Sequence, residues 1–415
     1  MLFIPDKKHY YKNNDLSDFA TPKKLHMPLF GFKSPLELLV SKGQRVLKYQ
    51  QLAHKEGLFG SSVHAPVSGV VGDVLTIDEW DYLEVFNDFL NESEVPSPMN
   101  PEAISIPEFR QILQGFGIEG SGGARFPSTA KYAIEAGDVE TLIINGAECE
   151  PYLMADYALM KNYAQELALC IAFIQRLFKI PKAIIGIENQ HRNLKPILEK
   201  ALTNEEVIGG VKLLSDFYPQ GGELQLIKSV TGKTLKKGSI PAKAGVIVNN
   251  VATIYAIYRA VFKGIPYTER IVTLFDEASQ KGRNYWVPIG MPVSAISDHF
   301  FRPTSEHFSL VIGGPMMGRS VQDEGMAIHK GSGGILSLYK SSYQSENCIG
   351  CGYCADVCPQ NLLPMEFSKN VEKQDINQLQ NYYLQDCIEC GACAYICPSR
   401  IPLVQDIREG KRLML

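Results

Sequence analysis

Cysteine is scarce outside one short stretch. Of ten cysteines in 415 residues, eight lie between positions 348 and 397, and only Cys149 and Cys170 stand elsewhere. No secretory leader pattern opens the sequence, so an oxidising compartment and a disulfide framework are not expected. Long apolar runs are also missing. The best candidates for a membrane span, 167–178 and 246–262, are interrupted by Gln175 and Arg176, and by Asn249, Asn250 and Arg259. No direct membrane span is therefore expected, and any membrane association would come through partners. Charge of one sign is not in excess: 41 basic and 45 acidic residues leave a net charge of −4, which gives no reason to expect nucleic acid. Low-complexity tracts are absent. What remains is an ordinary globular composition, 45% apolar and 21% charged, with length for roughly two to four domains.

The cysteines that are present carry the strongest signal. They read C-x2-C-x2-C-x3-C-P twice: Cys348, Cys351, Cys354, Cys358 and Pro359, then Cys387, Cys390, Cys393, Cys397 and Pro398. Three thiolates at three-residue spacing wrap three corners of a cubane, and the fourth, after a short helical step, ligates the other cluster. The pattern predicts two 4Fe–4S centres. One is held by Cys348, Cys351, Cys354 and Cys397, the other by Cys387, Cys390, Cys393 and Cys358. Gly352 and Gly391 let the backbone approach the sulfides. Zinc is the plainer alternative, but it takes four ligands, usually as two separated pairs, and needs no triplet followed by C-P. Cys170 falls in an apolar helical pattern and reads as core filler.

Along the chain, residues 1–35 are polar and aromatic, broken by Pro5, Pro22, Pro28 and Pro35, and read as an arm laid over another domain. Residues 36–100 hold short alternating runs punctuated by Gly and Pro, which imply several short strands. Their pattern resembles the barrel-sandwich fold of lipoyl and biotinyl domains. No hairpin-tip lysine matches, so Lys48 and Lys55 read as surface lysines and the domain as scaffold. After a proline-rich linker comes Gly120-Ser-Gly122-Gly123-Ala124-Arg125-Phe126-Pro127, with Lys131 one helical turn on. Glycines let backbone N–H groups approach a phosphate or flavin, although such a loop is more often only a turn. An apolar strand at 139–144 runs into Asn145, Glu148, Glu150 and Pro151, and polar residues past the carboxyl end of a strand are where α/β units bind ligands. One helix is expected over 156–178 and a strand over 183–187. A break follows at Tyr218-Pro-Gln-Gly221-Gly222-Glu223, then a strand at 245–251 ending in Asn249 and Asn250. Alternating strand and helix argues for an α/β layer.

These stretches, in this order, resemble the flavin-binding fold of the NADH-oxidising subunit of respiratory complex I. The closer resemblance is to the C subunit of the Rnf complex, the ferredoxin:NAD oxidoreductase that moves ions across bacterial membranes. Asn145-Gly-Ala-Glu148-Cys149-Glu150-Pro151 and the segment 313–318 are especially similar to that family. The implied fold class is multidomain α/β and α+β. It comprises an arm (1–35), a barrel-sandwich domain (36–100), an FMN/NADH-binding α/β domain (101–265), a β-grasp ligand-binding domain (266–312), a connector (313–345) without chemistry and a two-cluster ferredoxin domain (346–415). The resemblance implies that Gly120, Gly122, Gly123 and Ala124 line FMN and that Lys131 meets its phosphate. Asn145, Glu148, Asn249 and Asn250 would hold the ribityl chain and ring, and Phe126, Glu150 and Glu223 would face NADH. Arg125 stands where the family has glycine; its side chain could reach back to a phosphate or fill the pocket. Ala147 stands where the complex I flavoprotein has an acid, and the amino-terminal Gly-Gly-x-His-Pro of the Rnf family is missing.

Two functions follow from the resemblance. The first is a flavo-iron–sulfur oxidoreductase subunit that passes electrons between NAD(H), FMN and two 4Fe–4S clusters, with no side-chain acid or base required and hence no catalytic residue. It would sit at the inner face of the cell membrane, beside other subunits of an Rnf-type complex and ferredoxin-type carriers. The second is an electron-transfer adaptor with a degenerate nucleotide site, feeding a soluble reductase such as cobalamin reductase.

Overall fold

A computed structural model of the chain describes residues 2–11, 16–32, 34–301, 307–340 and 343–414. Parts of the expected arm (12–15 and 33), of the expected β-grasp domain (302–306) and of the expected connector (341–342) lie outside the described residues. Four parallel strands form a central sheet in the order Gly209–Leu214, Lys182–Glu188, Thr141–Gly146 and Val246–Asn250. Side chains alternate across a strand, and here both faces are covered. Leu142 and Ile144 enter a core shared with the helices Ala164–Phe178 and Val251–Lys263. Ile143 faces the other way, onto Leu226 and Ile227 of the helix Glu223–Thr231. That double burial is why residues 142–144 read as an unbroken apolar run.

The single helix expected over 156–178 is two helices, Ala155–Asn162 and Ala164–Phe178. Tyr163 leaves helical geometry (φ −128°, ψ 33°), and its ring packs against Tyr255 and Trp286. Apolar periodicity alone does not register one non-helical residue, so the pattern ran through the break.

The barrel-sandwich domain has a four-stranded sheet, in the order Lys24–Pro28, Trp80–Asn87, Gly69–Ile77 and Arg45–Val46. A three-stranded one faces it, in the order Glu37–Leu38, Gln51–Lys55 and Ser61–His64. The supposed arm is therefore partly sheet. Lys24–Pro28 pairs with Trp80–Asn87 because Leu25 and Met27, both fully buried, supply a core-facing edge. Leu16–Asp18 pairs in parallel with Lys281–Pro288 in a third sheet. That six-stranded sheet also holds Glu269–Asp276, Gly334–Tyr339, Phe308–Ile312 and Arg319–Ser320. Gly334–Tyr339 lies between Glu269–Asp276 and Phe308–Ile312, so part of the expected connector is a strand inside the sheet. Val272, Leu274 and Ile335 share one core with Leu52 and Val85, which joins this sheet to the barrel-sandwich domain.

The last segment is small and helical. Pro364–Glu372, Ile376–Asn381 and Leu403–Leu413 close over Leu362, Phe367, Leu379, Leu384 and Ile407.

Candidate functional site

In the parallel sheet, Lys182–Glu188 and Gly209–Leu214 lie on one side of Thr141–Gly146 and Val246–Asn250 on the other. The chain thus reverses direction between Thr141–Gly146 and Val246–Asn250, and the carboxyl ends of such a pair are where open α/β sheets take ligands. Asn145 ends one strand and Asn249 and Asn250 end the other. Over this crevice lies the glycine loop, closed by the Gly120 amide donating to the Phe126 carbonyl at 2.9 Å. Gly122, Gly123 and Ala124 are exposed at its tip. A Cβ on Gly122 would come no nearer than 3.8 Å to Asn250, and one on Gly123 would meet nothing within 4 Å. Gly123 has φ +103°, which side chains rarely adopt. The loop backbone therefore borders open space, as a phosphate or flavin cradle must. The Thr129 hydroxyl, on the short helix Ser128–Lys131, is buried with no protein partner, another polar group left for a ligand.

Lys131 and Glu223 come together here. The Lys131 ammonium donates to the Val248 carbonyl at 2.5 Å and lies 4.0 Å from Glu223. Burial lowers its pKa, and Glu223 opposes that shift.

Arg125 neither reaches a phosphate nor fills the crevice. Its guanidinium turns towards the barrel-sandwich domain, pairing with Glu119 at 2.9 Å, donating to the Phe30 carbonyl at 2.7 Å and lying over the Phe30 ring. Lys330 binds the same carboxylate at 3.0 Å and the Ser62 carbonyl at 2.7 Å. Burial alone would raise the Glu119 pKa, but Arg125 and Lys330 hold it at about 2. The residue that broke the glycine pattern is thus one of three charged members of a domain-joining ion cluster.

Several polar residues expected to touch the flavin are committed to protein partners. The buried Glu148 carboxylate accepts from the amides of Asp156 (3.2 Å) and Tyr157 (3.3 Å), at the start of Ala155–Asn162. Burial first, and Asp156 second, raise its pKa. Asn249 is buried and donates to the Tyr132 hydroxyl at 2.7 Å. Asn250 caps Val251–Lys263 and donates to Asp156 at 2.6 Å. Asn145 spans its own loop and Gly221, accepting from the Ala147 amide and donating to the Gly221 carbonyl at 2.9 Å. A buried polar group must find a partner. These four side chains are therefore held by protein partners around the crevice.

Glu150 meets the supposed connector: its carboxylate accepts from the amides of Met316 (3.0 Å) and Met317 (2.8 Å). The connector loop in turn packs on the cysteine region, where a Cβ on Gly391 would lie 2.5 Å from the Met316 carbonyl oxygen. Burial pushes the Glu150 carboxyl up to about 7, against the pull of the two amides. A carboxyl raised above its ordinary 4.5 costs stability as pH rises from about 4.5 through about 7, because the unfolded chain gives up its proton first. Glu150→Gln is expected to flatten the fall in thermal midpoint between pH 5 and pH 8. An unchanged slope would show that the raised group is not Glu150.

In the cysteine region, Cys358 lines one cavity together with Cys387, Cys390 and Cys393. The fourth cysteine of the first run thus meets the first three of the second. Reciprocally, Cys397 lies close enough to Cys354 to add to the rise in thiol pKa that burial there begins. The Cys390 thiol is pushed up to about 11 by burial and then by Cys387 and Cys358. Grouped thiols of this kind lose their protons readily only when a metal takes up the charge. Backbone amides already point at the sulfurs: Leu362 at Cys358 (3.3 Å), Glu389 at Cys387 (3.4 Å) and Gly350 at Cys348 (3.5 Å). The second run with Cys358 fits one cubane cluster, and Cys354 beside Cys397 places two of the ligands expected of the other. The carboxyl-terminal helix Leu403–Leu413 braces one of these two sites. Lys411 donates to the Cys387 carbonyl at 2.7 Å, and Lys411 and Arg408 both pair with Glu389.

A switch-point crevice under a glycine loop, joined to paired four-cysteine runs, is the arrangement of a protein built to bind a flavin and iron–sulfur clusters. Family models agree segment by segment. Residues 2–81 match the RnfC barrel sandwich hybrid domain, 113–259 the Nuo51 FMN-binding domain and 347–401 a 4Fe-4S dicluster domain. The chain is 33% identical over 377 residues to the C subunit of the proton-translocating ferredoxin:NAD(+) oxidoreductase complex of Clostridium ljungdahlii, covering 88% of this chain and 82% of that one. It is 37% identical over 426 residues to the C subunit of the ion-translocating oxidoreductase complex of Edwardsiella ictaluri, and 35% identical over 401 residues to that of Vibrio cholerae. Those alignments cover 98% and 90% of this chain but 52% and 50% of the relatives, so the chain spans about half their length. The chain belongs to the RnfC family, and its cofactor domains are those for FMN and two 4Fe–4S clusters. An NAD+-reducing [NiFe]-hydrogenase structure in the H2-reduced state shares the fold, with a TM-score of 0.53 at 18% identity over 76% of this chain and 65% of that one. Among the described residues no helix is long and apolar enough to cross a membrane.

Proposed function

We propose that the chain passes electrons between NAD(H) and two 4Fe–4S clusters through FMN, as a subunit of a membrane-associated, Rnf-type complex. The observation that carries this reading is the direct contact between the two sites. The Tyr218 hydroxyl donates to the Cys390 carbonyl at 2.5 Å, and the Gln225 amide to the Pro359 carbonyl at 3.1 Å. Both Tyr218 and Gln225 belong to the segment flanking Gly221 and Gly222 at the crevice. Cys348 and Cys351, by contrast, are exposed. This supports an order in which the Cys358–Cys387–Cys390–Cys393 cluster is proximal to the flavin and the Cys348–Cys351–Cys354–Cys397 cluster is the exit.

Bound FMN supplies the exchange between hydride and single electrons, which no side chain can perform. The chain's own share is placement. The loop amides at Gly122–Ala124 and the Lys131 ammonium hold the phosphate, as exposed amides and a nearby cation do for any anion. Glu223, beside Lys131 and partly exposed, is placed to meet the nicotinamide nucleotide. The adaptor reading drew its support from Arg125 and from the altered amino-terminal arm. With that guanidinium spent on Glu119 and Phe30, the open space beside Gly122 and Gly123 is not taken up by Arg125, which supports flavin binding. The electron partners on this reading are the other subunits of the complex and a ferredoxin-type carrier, met at the inner face of the cell membrane.

Anaerobic iron and flavin analysis followed by NADH addition tests the proposal. Prompt bleaching of the clusters with flavin bound is the expected result, and Lys131→Ala is expected to lose most of the flavin while keeping the iron. Full iron without flavin, and no response to NADH, would return the adaptor reading.

A further inference from the structure

The first ten described residues play no part in the reading above, yet they touch three of the loops on which it depends. Leu2 and Tyr218 exchange both backbone hydrogen bonds, at 3.0 and 2.7 Å. The Asp6 carbonyl accepts from the Tyr152 amide at 2.8 Å, and the Tyr11 hydroxyl donates to the Tyr152 carbonyl. The Lys8 ammonium, 6% exposed, donates to the Glu148 carbonyl and pairs with Glu188 at 3.6 Å. Ile4 packs in an apolar cluster with Tyr218, Cys390 and Ala392. Tyr218 is 2% exposed, and its hydroxyl ends on the Cys390 carbonyl.

One segment therefore bridges the loop after Thr141–Gly146, the loop before Glu223–Thr231 and the ligand loop of the proximal cluster. Loops are ordinarily the mobile parts of a fold. Here a strand bridge, a buried ammonium and an apolar contact fix three of them to one another. Moving any of them would break the Leu2–Tyr218 pairing or pull the buried Lys8 ammonium away from Glu188 and the Glu148 carbonyl, which help compensate its charge.

We infer that residues 2–11 and Tyr218 form a strap that registers the Cys390 loop against the cofactor crevice. Tyr218 is its positioning residue and acts through the Cys390 carbonyl, not through a sulfur. The inference rests on the proposed electron-transfer reading and adds to it the element that sets the gap between the two sites.

Tyr218→Phe keeps the ring and its packing and removes one hydrogen bond. Iron and FMN contents are expected to match the wild type, while the electron paramagnetic resonance spectrum of one of the two reduced clusters shifts. After photoreduction of the flavin, each passage oxidises it by one electron and reduces a cluster by one. That passage is expected to slow roughly tenfold, as misplacement away from the reacting groups does. Ile4→Ala loosens the same contact from the other side and is expected to shift the same cluster's spectrum. The strap is overturned if Tyr218→Phe leaves both spectrum and passage rate unchanged. It is equally overturned if Tyr218→Phe loses its cofactors outright while Ile4→Ala changes nothing. A wild-type chain that holds iron but no flavin defeats the electron-transfer reading instead, and the Tyr218→Phe cluster spectrum then decides the strap alone.

Discussion

Replacing Cys358 and Cys390 together by alanine is expected to leave about four irons per chain, whereas replacing Cys358 and Cys351 is expected to leave almost none. Both double variants remove two of the eight thiolates. They differ only in whether the two losses fall on one cluster or on both. The cavity that Cys358 lines with Cys387, Cys390 and Cys393 puts Cys358 and Cys390 on the same cubane and Cys351 on the other. An uncrossed pairing, with each run closing on its own fourth cysteine, predicts the reverse iron counts. Iron analysis with the resonance spectrum of the reduced protein separates the two outcomes. The surviving cluster in the Cys358/Cys390 variant should be the one at the exposed Cys348 and Cys351, and it should be the more readily lost to a chelator.

The largest expected effect on stability comes from the ion cluster behind the glycine loop. Lys330→Met leaves Glu119 buried with one cation in place of two, and breaking a buried pair in this way costs about 3–5 kcal/mol. At equal iron and flavin content, the thermal midpoint should fall by several degrees. The pH dependence follows from Glu119, whose pKa lies at about 2 in the folded chain against an ordinary 4.5. A depressed carboxyl contributes its stabilisation in full above about 4.5 and loses it as pH falls towards 2. The shift is worth about 3 kcal/mol for a fully buried group. In Lys330→Met that contribution shrinks, so the variant's deficit should be largest at neutral pH and narrow in acid. Replacing Glu119, Arg125 and Lys330 together by apolar residues should restore much of the loss, since no uncompensated charge remains. A Lys330→Met chain as stable as the wild type at pH 7 would show that Arg125 alone compensates Glu119.

Residues whose role is set by neighbours in sequence were legible. The cysteine runs are one case, because a cubane fixes the spacing of the thiolates that wrap it. Gly123 is another: its positive φ and open surroundings belong to the loop itself. Residues whose role is set by distant partners were not. Arg125 has its carboxylate six residues away, but Phe30 and Lys330, which complete the cluster, come from two other parts of the chain. Glu148 and Asn249 lie at the expected end of the expected strands, yet their side chains turn inward because burial demanded a hydrogen-bond partner. Lys8 gave no signal at all, since its partners Glu148 and Glu188 lie beyond the whole barrel-sandwich domain in sequence.

The sequence by itself determined the cofactors: ligand spacing and glycine placement are local, and local chemistry selects iron–sulfur clusters and a phosphate-bearing flavin. Tertiary structure alone decided how the two sites meet. It turned Arg125 out of the crevice, set Glu150 against the Met316–Met317 amides and joined Tyr218 to Cys390. Such contacts depend on which side chains packing leaves buried and facing one another, and no spacing along the chain encodes that.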